Sequence, residues 1–422
     1  MVRVIGSPTP SRLGASAAPP AFPAARATWT DPTGAIIVPA GALDRYFAWR
    51  QTLGAVRGDI VYDGDSTAYG SGGNYSLLQR IRDNAITFGF PDGGKGMFGA
   101  GESLIGYDGS EVNGFVSETF AGFGDQFDNL DGQYFYDTGT PANATLVLQF
   151  RSTAARLWYA NRTAAGDFTY SVDGGGTVTV HAYNATVNTC KFIYLSGLSA
   201  NTTHTITITN LGSSSGGGKG CYIALAPVND TGFAIQKFAT SGDTINKRYF
   251  GALGSAPFTQ AWAGSEAVHT SLGLIGTTVN SPTYSGAIAD SNYASNAKVN
   301  PVLAATQLGF NDLTNAVDSS DLPMWTEYVK RFAGACRDAG VDGMIVSGQL
   351  PYNANWPTYG AARFNAVKAQ ALASGVAFVD LFYPIAGAAL SYSGGTQNPH
   401  LSKAQYQTQA DFLWNNLLGL RV

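Results

Sequence analysis

The strongest structural signal in this chain is the stretch Ile60-Val61-Tyr62-Asp63-Gly64-Asp65-Ser66. Its first three residues predict a buried strand, because a short apolar run bounded by turn residues is typical of a parallel sheet. Gly64 permits a tight turn after this strand and leaves the Ser66 hydroxyl exposed at the strand's carboxyl end. Open α/β sheets bind their ligands at that edge. The stretch therefore predicts an α/β sheet with a serine at its functional edge.

The serine needs a partner. A serine hydroxyl is a poor nucleophile at neutral pH until a neighbouring base takes its proton. The chain has four histidines, namely His181, His204, His269 and His400. Only His400 lies in a loop that precedes a predicted helix near the C-terminus, whereas His181 and His204 fall on predicted strands and are interpreted as structural. His400 is therefore the candidate base for Ser66.

Two further motifs follow apolar, strand-like runs. The first is Phe238-Ala239-Thr240-Ser241-Gly242-Asp243-Thr244, which comes after Phe233-Ala234-Ile235. The second is Gly309-Phe310-Asn311-Asp312, which comes after Val302-Leu303-Ala304-Ala305. Each motif alone is a common turn or loop. Their weight comes from their order along the chain, with a predicted strand before each one.

Together these motifs resemble the sequence blocks of the SGNH, or GDSL-like, hydrolases, a family of esterases, lipases, thioesterases and carbohydrate deacetylases. The resemblance covers roughly residues 55 to 90 and 230 to 420. It implies that Ser66 is the nucleophile and His400 the general base. It also implies an oxyanion hole formed by the backbone N–H groups of Ser66 and Gly242 and the side-chain amide of Asn311. Removing one such donor typically costs about 2.7 to 4 kcal/mol of transition-state stabilisation.

One position departs from the family pattern. Most relatives carry an aspartate three residues before the histidine, where this chain has Gln397. A neutral amide can hold one imidazole tautomer but does not stabilise an imidazolium as a carboxylate does. We therefore interpret Ser66 and His400 as a dyad. His400 is assisted by a backbone carbonyl near Gln397 or by an aspartate from elsewhere in the chain, such as Asp380. A slower enzyme or an inactive relative is the expected consequence.

Composition narrows the functional classes. The length of 422 residues favours two domains, and a net charge of −4 without any Lys/Arg run argues against nucleic-acid binding. Charged residues make up only 13% while glycine numbers 52, which favours a loop-rich extracellular or virion protein. No stretch approaches the roughly 18 apolar residues of a membrane span. With no recognisable signal peptide, we expect an extracellular or virion-associated protein.

The sequence predicts neither a cofactor nor a metal site. Cys190, Cys221 and Cys336 do not have the spacing of metal ligands. Cys190 and Cys221 can meet within one β domain, whereas Cys336 falls in a predicted helix and is expected to be a buried thiol. The stretch Gly94-Lys95-Gly96-Met97-Phe98-Gly99 matches a dinucleotide fingerprint by letter only, because no strand precedes it and no helix follows.

The hydrophobic period changes to two between residues 115 and 229. Strands are predicted at 144–150, 156–159, 168–172, 177–180, 190–195, 204–208 and 221–225. Short strands at such close spacing imply a β-sandwich. Residues 198–208 resemble the penultimate strand of jelly-roll carbohydrate-binding modules. This sandwich is interpreted as an insertion that serves substrate recognition or, with equal weight, acts as a spacer or oligomer contact.

The predicted architecture is a flavodoxin-like three-layer α/β/α SGNH hydrolase domain with a five-stranded parallel sheet, interrupted by an inserted all-β jelly-roll sandwich. Residues 1–54 form an N-terminal arm and short helix, a linker or attachment segment. The hydrolase domain takes residues 55–114 and 230–422, and the sandwich takes 115–229. Helices are predicted at 42–53, 76–85, 244–250, 322–339, 359–373 and 403–418, and the last two strands at 341–346 and 377–381.

Two classes of function remain open. The first is a serine esterase that removes short acyl groups, above all O-acetyl, from a polysaccharide or glycolipid. Tyr352, Trp356 and Tyr359 are candidates for stacking on its sugar rings, with ordinary packing as the alternative. A lipase or thioesterase is less favoured, because no run of large aliphatic residues provides an acyl channel. The second is a virion-tail or cell-surface glycan-binding protein with a weakly active or inactive hydrolase scaffold, forming a homo-oligomer or part of a phage tail assembly.

Overall fold

A computed structural model describes residues 27–69, 77–93, 115–121, 123–126, 134–137, 142–161, 166–183, 189–199, 202–212, 222–229, 231–239, 244, 245, 249, 301–314, 316, 318–348, 350–386 and 401–420. The strands are β1 (Trp29–Thr30), β2 (Ile36–Val38), β3 (Gly58–Gly64), β4 (Phe115–Ala121), β5 (Phe123–Gln126), β6 (Tyr134–Asp137), β7 (Ala142–Phe150), β8 (Ala154–Asn161), β9 (Asp167–Val172), β10 (Val178–Val180), β11 (Thr189–Leu195), β12 (His204–Gly212), β13 (Tyr222–Val228), β14 (Phe233–Ala239), β15 (Pro301–Gln307), β16 (Asp342–Ser347) and β17 (Ala377–Asp380).

The helices of the described residues are α1 (Asp44–Gln51), α2 (Ser66–Tyr69), α3 (Leu77–Phe88), α4 (Phe310–Thr314), α5 (Leu322–Ala339), α6 (Ala361–Ala373) and α7 (Lys403–Leu413). Short 3-10 turns cover Leu350–Tyr352 and Tyr383–Ile385, and π-helical turns cover Trp356–Gly360 and Trp414–Leu418. None of these helices is both long enough and apolar enough to cross a membrane. The helix predicted over 244–250 lies mostly outside the described residues.

A seven-stranded sheet organises the α/β part, in the order β1-β2-β17-β16-β15-β3-β14. Strands β17, β16, β15, β3 and β14 run parallel, whereas β2 pairs antiparallel with β17 and β1 antiparallel with β2. The sheet is therefore larger by two edge strands than the five-stranded sheet expected from the sequence. The added strand β2 is only three residues long, and it pairs with Val379 and Phe378, which lie far away in sequence.

Helices cover both faces of this sheet. Side chains alternate along the strands, so that Val61 faces one apolar cluster and Ile60 and Tyr62 face the other. The first cluster packs on α5 and α6, and the second packs on α1, α3 and α7. Helix α5 has the bounds predicted for it and ends at Gly340, whose φ of 63° gives the left-handed conformation that terminates helices. The α/β part is thus a layered structure that presents strand ends at one edge.

Among the described residues, the all-β part has three antiparallel sheets. The two larger sheets have the orders β10-β9-β12-β7-β4 and β11-β8-β13, and the third pairs β5 with β6. The two larger sheets share a core, where the Tyr159 and Phe168 rings lie 5.4 Å apart between them. His204 is buried against Asp173, and His181 is exposed beside Asp167. The jelly-roll connectivity stays a prediction.

The chain leaves the all-β part next to Gly93, the last described residue before β4. The Asn229 backbone N–H donates to the Gly93 carbonyl at 3.1 Å, and the Asn229 side chain donates to the Asp92 carbonyl at 2.8 Å. The buried Arg57 guanidinium donates to the carbonyls of both Gly93 and Asn229 and forms an ion pair with Asp59. The end of β13 is therefore held against the α/β part, and the insertion of the all-β part stays a prediction.

The thiol of Cys336 is buried and free, as predicted. Burial in the core raises the pKa of this thiol, so it stays protonated and chemically inert. Cys221, which the sequence allows to meet Cys190 within one β domain, lies outside the described residues.

Candidate active site

The sheet register places two of the predicted site segments side by side. Gly64, the last residue of β3, pairs with Gln307 of β15 on one side and with Ala239 of β14 on the other. Ser66 begins α2 two residues after Gly64, and Asn311 lies half-buried in α4, four residues after Gln307. Because carboxyl ends of parallel strands share one edge, Ser66 and Asn311 belong to the same edge of the sheet. Sheet order reverses at β3, which makes this the switch point where α/β proteins bind ligands.

The turn that carries Ser66 is held by its neighbours. The Asp65 carboxylate accepts hydrogen bonds from the Thr67 backbone N–H at 2.9 Å and from the Thr67 hydroxyl at 2.7 Å. The Asp65 carbonyl accepts from the Ala68 N–H at 3.1 Å. A Cβ at Gly64 would lie 2.5 Å from the Ala68 methyl, so only glycine fits here. The motif therefore builds a compact turn from strand to helix.

A buried amide lies beneath this turn. The Gln307 side chain accepts a hydrogen bond from the Tyr62 hydroxyl at 2.6 Å and donates one to the Thr67 hydroxyl at 2.9 Å. The backbone carbonyl of Gln307 accepts a hydrogen bond from the Asp65 backbone N–H at 3.2 Å. Burial raises the pKa of Tyr62, and the nearby Asp65 adds to this shift, so the phenol remains a donor. Gln307 and Thr67 were not predicted to belong to the site, because a glutamine that ends an apolar strand carries no local sign of whether its amide is buried.

The second motif forms a short helix that approaches α5 closely. Gly309 has a φ of +112°, and a Cβ there would lie 2.5 Å from the Trp325 ring. The side-chain amide of Asn353 donates to the Phe310 carbonyl at 2.9 Å and to the Thr314 hydroxyl at 2.6 Å. These contacts fix both ends of the helix that bears Asn311. Asn353 was another residue that the sequence analysis missed.

Asp312 joins this helix to the segment after β14. Its carboxylate accepts a hydrogen bond from the Ile245 backbone N–H at 2.8 Å. Nearby, the Tyr249 hydroxyl donates to the buried carboxylate of Asp63 at 3.2 Å. The segment with the predicted donor Gly242 is therefore anchored on its far side. Gly242 itself lies outside the described residues.

The predicted base also lies outside the described residues, as does Gln397. The chain is described again from Leu401, the residue after His400. Leu401 is buried in the core beside α7. Helix α7 is tied to the end of β17, because the Gln409 side chain donates to the Leu381 carbonyl at 2.8 Å. The pairing of His400 with Ser66 stays a prediction.

Asp380, the candidate orienting carboxylate, ends β17. Its side chain accepts a hydrogen bond from the Phe382 N–H at 2.9 Å, and burial raises its pKa despite the backbone N–H groups that oppose the shift. Strand β17 is three positions from β3 in the sheet, which corresponds to about 14 Å at the usual strand spacing. A role for Asp380 toward His400 stays a prediction.

The three aromatic candidates follow β16. The Trp356 ring packs edge-on against Phe364, with ring centroids 6.1 Å apart, and the Arg363 guanidinium lies 5.5 Å over the Tyr359 ring. Both rings are half-buried against the core of the α5 and α6 layer. The side chain of Tyr352 lies outside the description. Stacking on sugar rings stays a prediction for all three. Within the described residues, no cluster of His, Cys, Asp or Glu could hold a metal ion.

Comparisons with known proteins connect this geometry to solved structures. No family model matches the chain, and no curated protein sequence matches it. A structure of a peptidoglycan O-acetylesterase matches 89% of this chain and 95% of its own chain, with a TM-score of 0.50 and 13% identity. A family two carbohydrate esterase from Clostridium thermocellum matches 71% of this chain and 99% of its own, with a TM-score of 0.33 and 15% identity. A family 2 carbohydrate esterase with a carbohydrate-binding domain from Corynascus thermopiles matches 72% and 98%, with a TM-score of 0.31 and 12% identity. At 13% identity the first match concerns the fold alone.

Proposed function

We propose that this protein is a serine esterase that removes short acyl groups, above all O-acetyl, from a polysaccharide or glycolipid. The observation that carries the proposal is the register of β3 and β15, which brings Ser66 and Asn311 to neighbouring strand ends at the switch point of the sheet. A nucleophile next to a side-chain amide donor is the arrangement that acyl transfer needs. The motifs that resemble those of SGNH hydrolases support the same assignment.

In the proposed mechanism, the Ser66 hydroxyl oxygen attacks the ester carbonyl carbon while His400 takes the hydroxyl proton. The N–H groups of Ser66 and Gly242 and the amide of Asn311 stabilise the oxyanion. Collapse of the tetrahedral intermediate expels the sugar alkoxide, which receives the proton from His400 and leaves an acyl-Ser66 ester. Water then attacks this ester with His400 again as base, which releases the carboxylic acid and restores Ser66.

The proposal of a glycan substrate has two supports. The fold is like that of a protein described as a peptidoglycan O-acetylesterase. The all-β part, one strand of which resembles carbohydrate-binding modules in sequence, is followed directly by Asn229, whose backbone N–H bonds to Gly93 of the α/β part. A second candidate is a glycan-binding protein of a virion tail or cell surface. Gln397 favours it, because the neutral amide replaces the carboxylate that most relatives use.

The decisive experiment compares hydrolysis of 4-nitrophenyl acetate, butyrate and octanoate by the full chain and by Ser66→Ala. We expect acetate to be the best substrate and the variant to lose at least about 1000-fold in kcat, the usual scale for loss of the nucleophile. Release of acetate from acetylated polysaccharides is then measured with both proteins. Equal rates for the two proteins on every ester would overturn the esterase proposal and leave the binding protein as the better assignment.

A further inference from the structure

We propose that Gln307 and Thr67 are positioning residues that aim the Ser66 backbone N–H at the substrate oxyanion. They do so through a buried hydrogen-bond chain that runs from Tyr62 through Gln307 and Thr67 to Asp65. This inference rests on the proposed esterase function. It assigns a role in the reaction to two side chains that are neither the proposed nucleophile and base nor proposed oxyanion donors.

The direction of the hydrogen-bond chain is fixed by its first donor, the Tyr62 hydroxyl. Tyr62 offers its hydroxyl proton to the Gln307 Oε1, and so the Gln307 Nε2 faces the Thr67 oxygen as a donor. Thr67 can then pass its own proton to only one acceptor, the Asp65 Oδ1, at 2.7 Å. Each hydrogen bond in such a chain polarises the next. The Asp65 carboxylate at its end is therefore held in one orientation.

Asp65, at the end of this hydrogen-bond chain, takes part in fixing the peptide units on both sides of Ser66, through its carboxylate and through its backbone carbonyl. The Asp65 Oδ1 also accepts the Thr67 N–H at 2.9 Å, which fixes the peptide unit after Ser66. The Asp65 carbonyl accepts the Ala68 N–H at 3.1 Å, which fixes the unit before it. That carbonyl and the Ser66 N–H belong to one planar trans peptide and point in opposite directions. The Ser66 N–H is thereby directed away from α2.

The surroundings of Gln307 show that the amide is held tightly. Its side chain is only 3% exposed, and a buried amide is costly unless it is hydrogen-bonded. A Cβ on Gly348 would lie 2.4 Å from the Gln307 Nε2, so the glycine after β16 leaves just enough room for the amide. A leucine at this position would continue the apolar strand without burying an amide. The glutamine is therefore explained by its hydrogen bonds to Tyr62 and Thr67.

The expected kinetic effect is confined to the chemical step. An oxyanion donor contributes only when it is aimed, and a displacement of about 1 Å can cost about 100-fold in rate. We expect Thr67→Val and Gln307→Leu to lower kcat by about 10- to 100-fold while KM changes by less than about threefold. Thr67→Ser keeps the hydroxyl and should recover most of the loss seen in Thr67→Val.

The experiment measures kcat and KM for 4-nitrophenyl acetate in these variants, in the full chain and in Ser66→Ala. Tyr328→Phe is the matched control, because it removes a buried hydroxyl that donates to Thr306 at 3.4 Å outside the chain of hydrogen bonds. Thermal unfolding and hydrogen exchange of the peptide spanning residues 60–69 accompany the kinetics. We expect faster exchange there in Thr67→Val and Gln307→Leu but not in Tyr328→Phe.

The outcomes separate the two proposals. Wild-type kcat in Thr67→Val and Gln307→Leu, or losses no larger than in Tyr328→Phe, would overturn the positioning role and leave the esterase proposal standing. A fall in kcat that Thr67→Ser does not recover would also overturn it, because the hydroxyl would then be irrelevant. Absence of Ser66-dependent turnover in the full chain would overturn the esterase proposal and this inference with it.

Discussion

Asn311 is the proposed oxyanion donor whose surroundings are defined on both sides, by Gly309 packed on Trp325 and by the tethered Asp312. Asn311→Ala should lower kcat by about 100- to 1000-fold, because one donor is worth about 2.7 to 4 kcal/mol. KM should change little, since the hydrogen bond strengthens as the oxyanion forms. Asn84→Ala, which removes an amide bound to Asp411, is the control and should leave kcat unchanged. A rise in KM of similar size, with kcat unchanged, would contradict the assignment.

Asp342 lies at the opposite edge of the sheet and controls stability rather than activity. Its carboxylate accepts the Tyr46 N–H at 2.8 Å, and burial raises its pKa from 3.8 to about 7. Between about pH 4 and pH 7 the folded state therefore keeps a proton that the unfolded state has lost. The contribution of this group to stability is fully present below about pH 4 and is lost as the pH rises through 7.

The corresponding prediction concerns Asp342→Asn, which is neutral at every pH. Relative to this variant, the wild-type free energy of unfolding should fall by on the order of 4 kcal/mol between pH 4 and pH 8. Urea unfolding at both pH values measures the difference, with Asp338→Asn, an exposed position on α5, as the control. A difference that does not vary with pH would show that the buried carboxyl has no raised pKa.

At the level of elements, Asp312 connects α4 to the segment that follows β14. The bond from the Ile245 N–H to this carboxylate joins Asp312, the neighbour of Asn311, to a residue three positions after the proposed donor Gly242. Asp312→Ala should lower kcat by about 10-fold and also reduce the unfolding midpoint, because a buried N–H loses its acceptor at a cost of about 1 to 3 kcal/mol. Asp312→Asn retains an acceptor and should be milder. Equal effects from the exposed Asp318→Ala would show that the tether is irrelevant.

Elements were predictable where the pattern was long and local. Helix α5 repeats apolar residues at helical spacing over eighteen positions, with Pro323 in its first turn and Gly340 after its end, and its bounds were predicted correctly. Strand β2 was not predicted, because three residues carry no period and its pairing with β17 is decided by tertiary contact. Helix α3 runs past the predicted end to Phe88, where only the packing of its last turn decides the boundary.

For the whole molecule, the sequence predicted the layered α/β part and the all-β part between its first two parallel strands. The reason is that turn motifs such as Gly64-Asp65-Ser66 sit directly after apolar runs, and parallel strands collect those turns at one edge. The network around Gln307 could not be predicted, since nothing local distinguishes a buried strand-end amide from an exposed one. The hydrogen bonds of Arg57 could not be predicted either, because the carbonyls of Gly93 and Asn229 that accept them lie 36 and 172 positions away in the sequence.

The contact between Gly93 and Asn229 leads to a test of what the all-β part contributes. Gly93 and Asn229 are joined by a hydrogen bond of 3.1 Å, so a linker of about three residues can replace residues 94–228, that is, the all-β part together with residues 94–114, which precede it. The Arg57 bonds to both carbonyls would remain. We expect the shortened protein to keep turnover of 4-nitrophenyl acetate within about 10-fold, because the strands that carry Ser66 and Asn311 are retained. Release of acetate from polymers should fall much further, because the proposed glycan-binding part is gone. Full retention of polymer turnover would instead identify the all-β part as a spacer or oligomer contact.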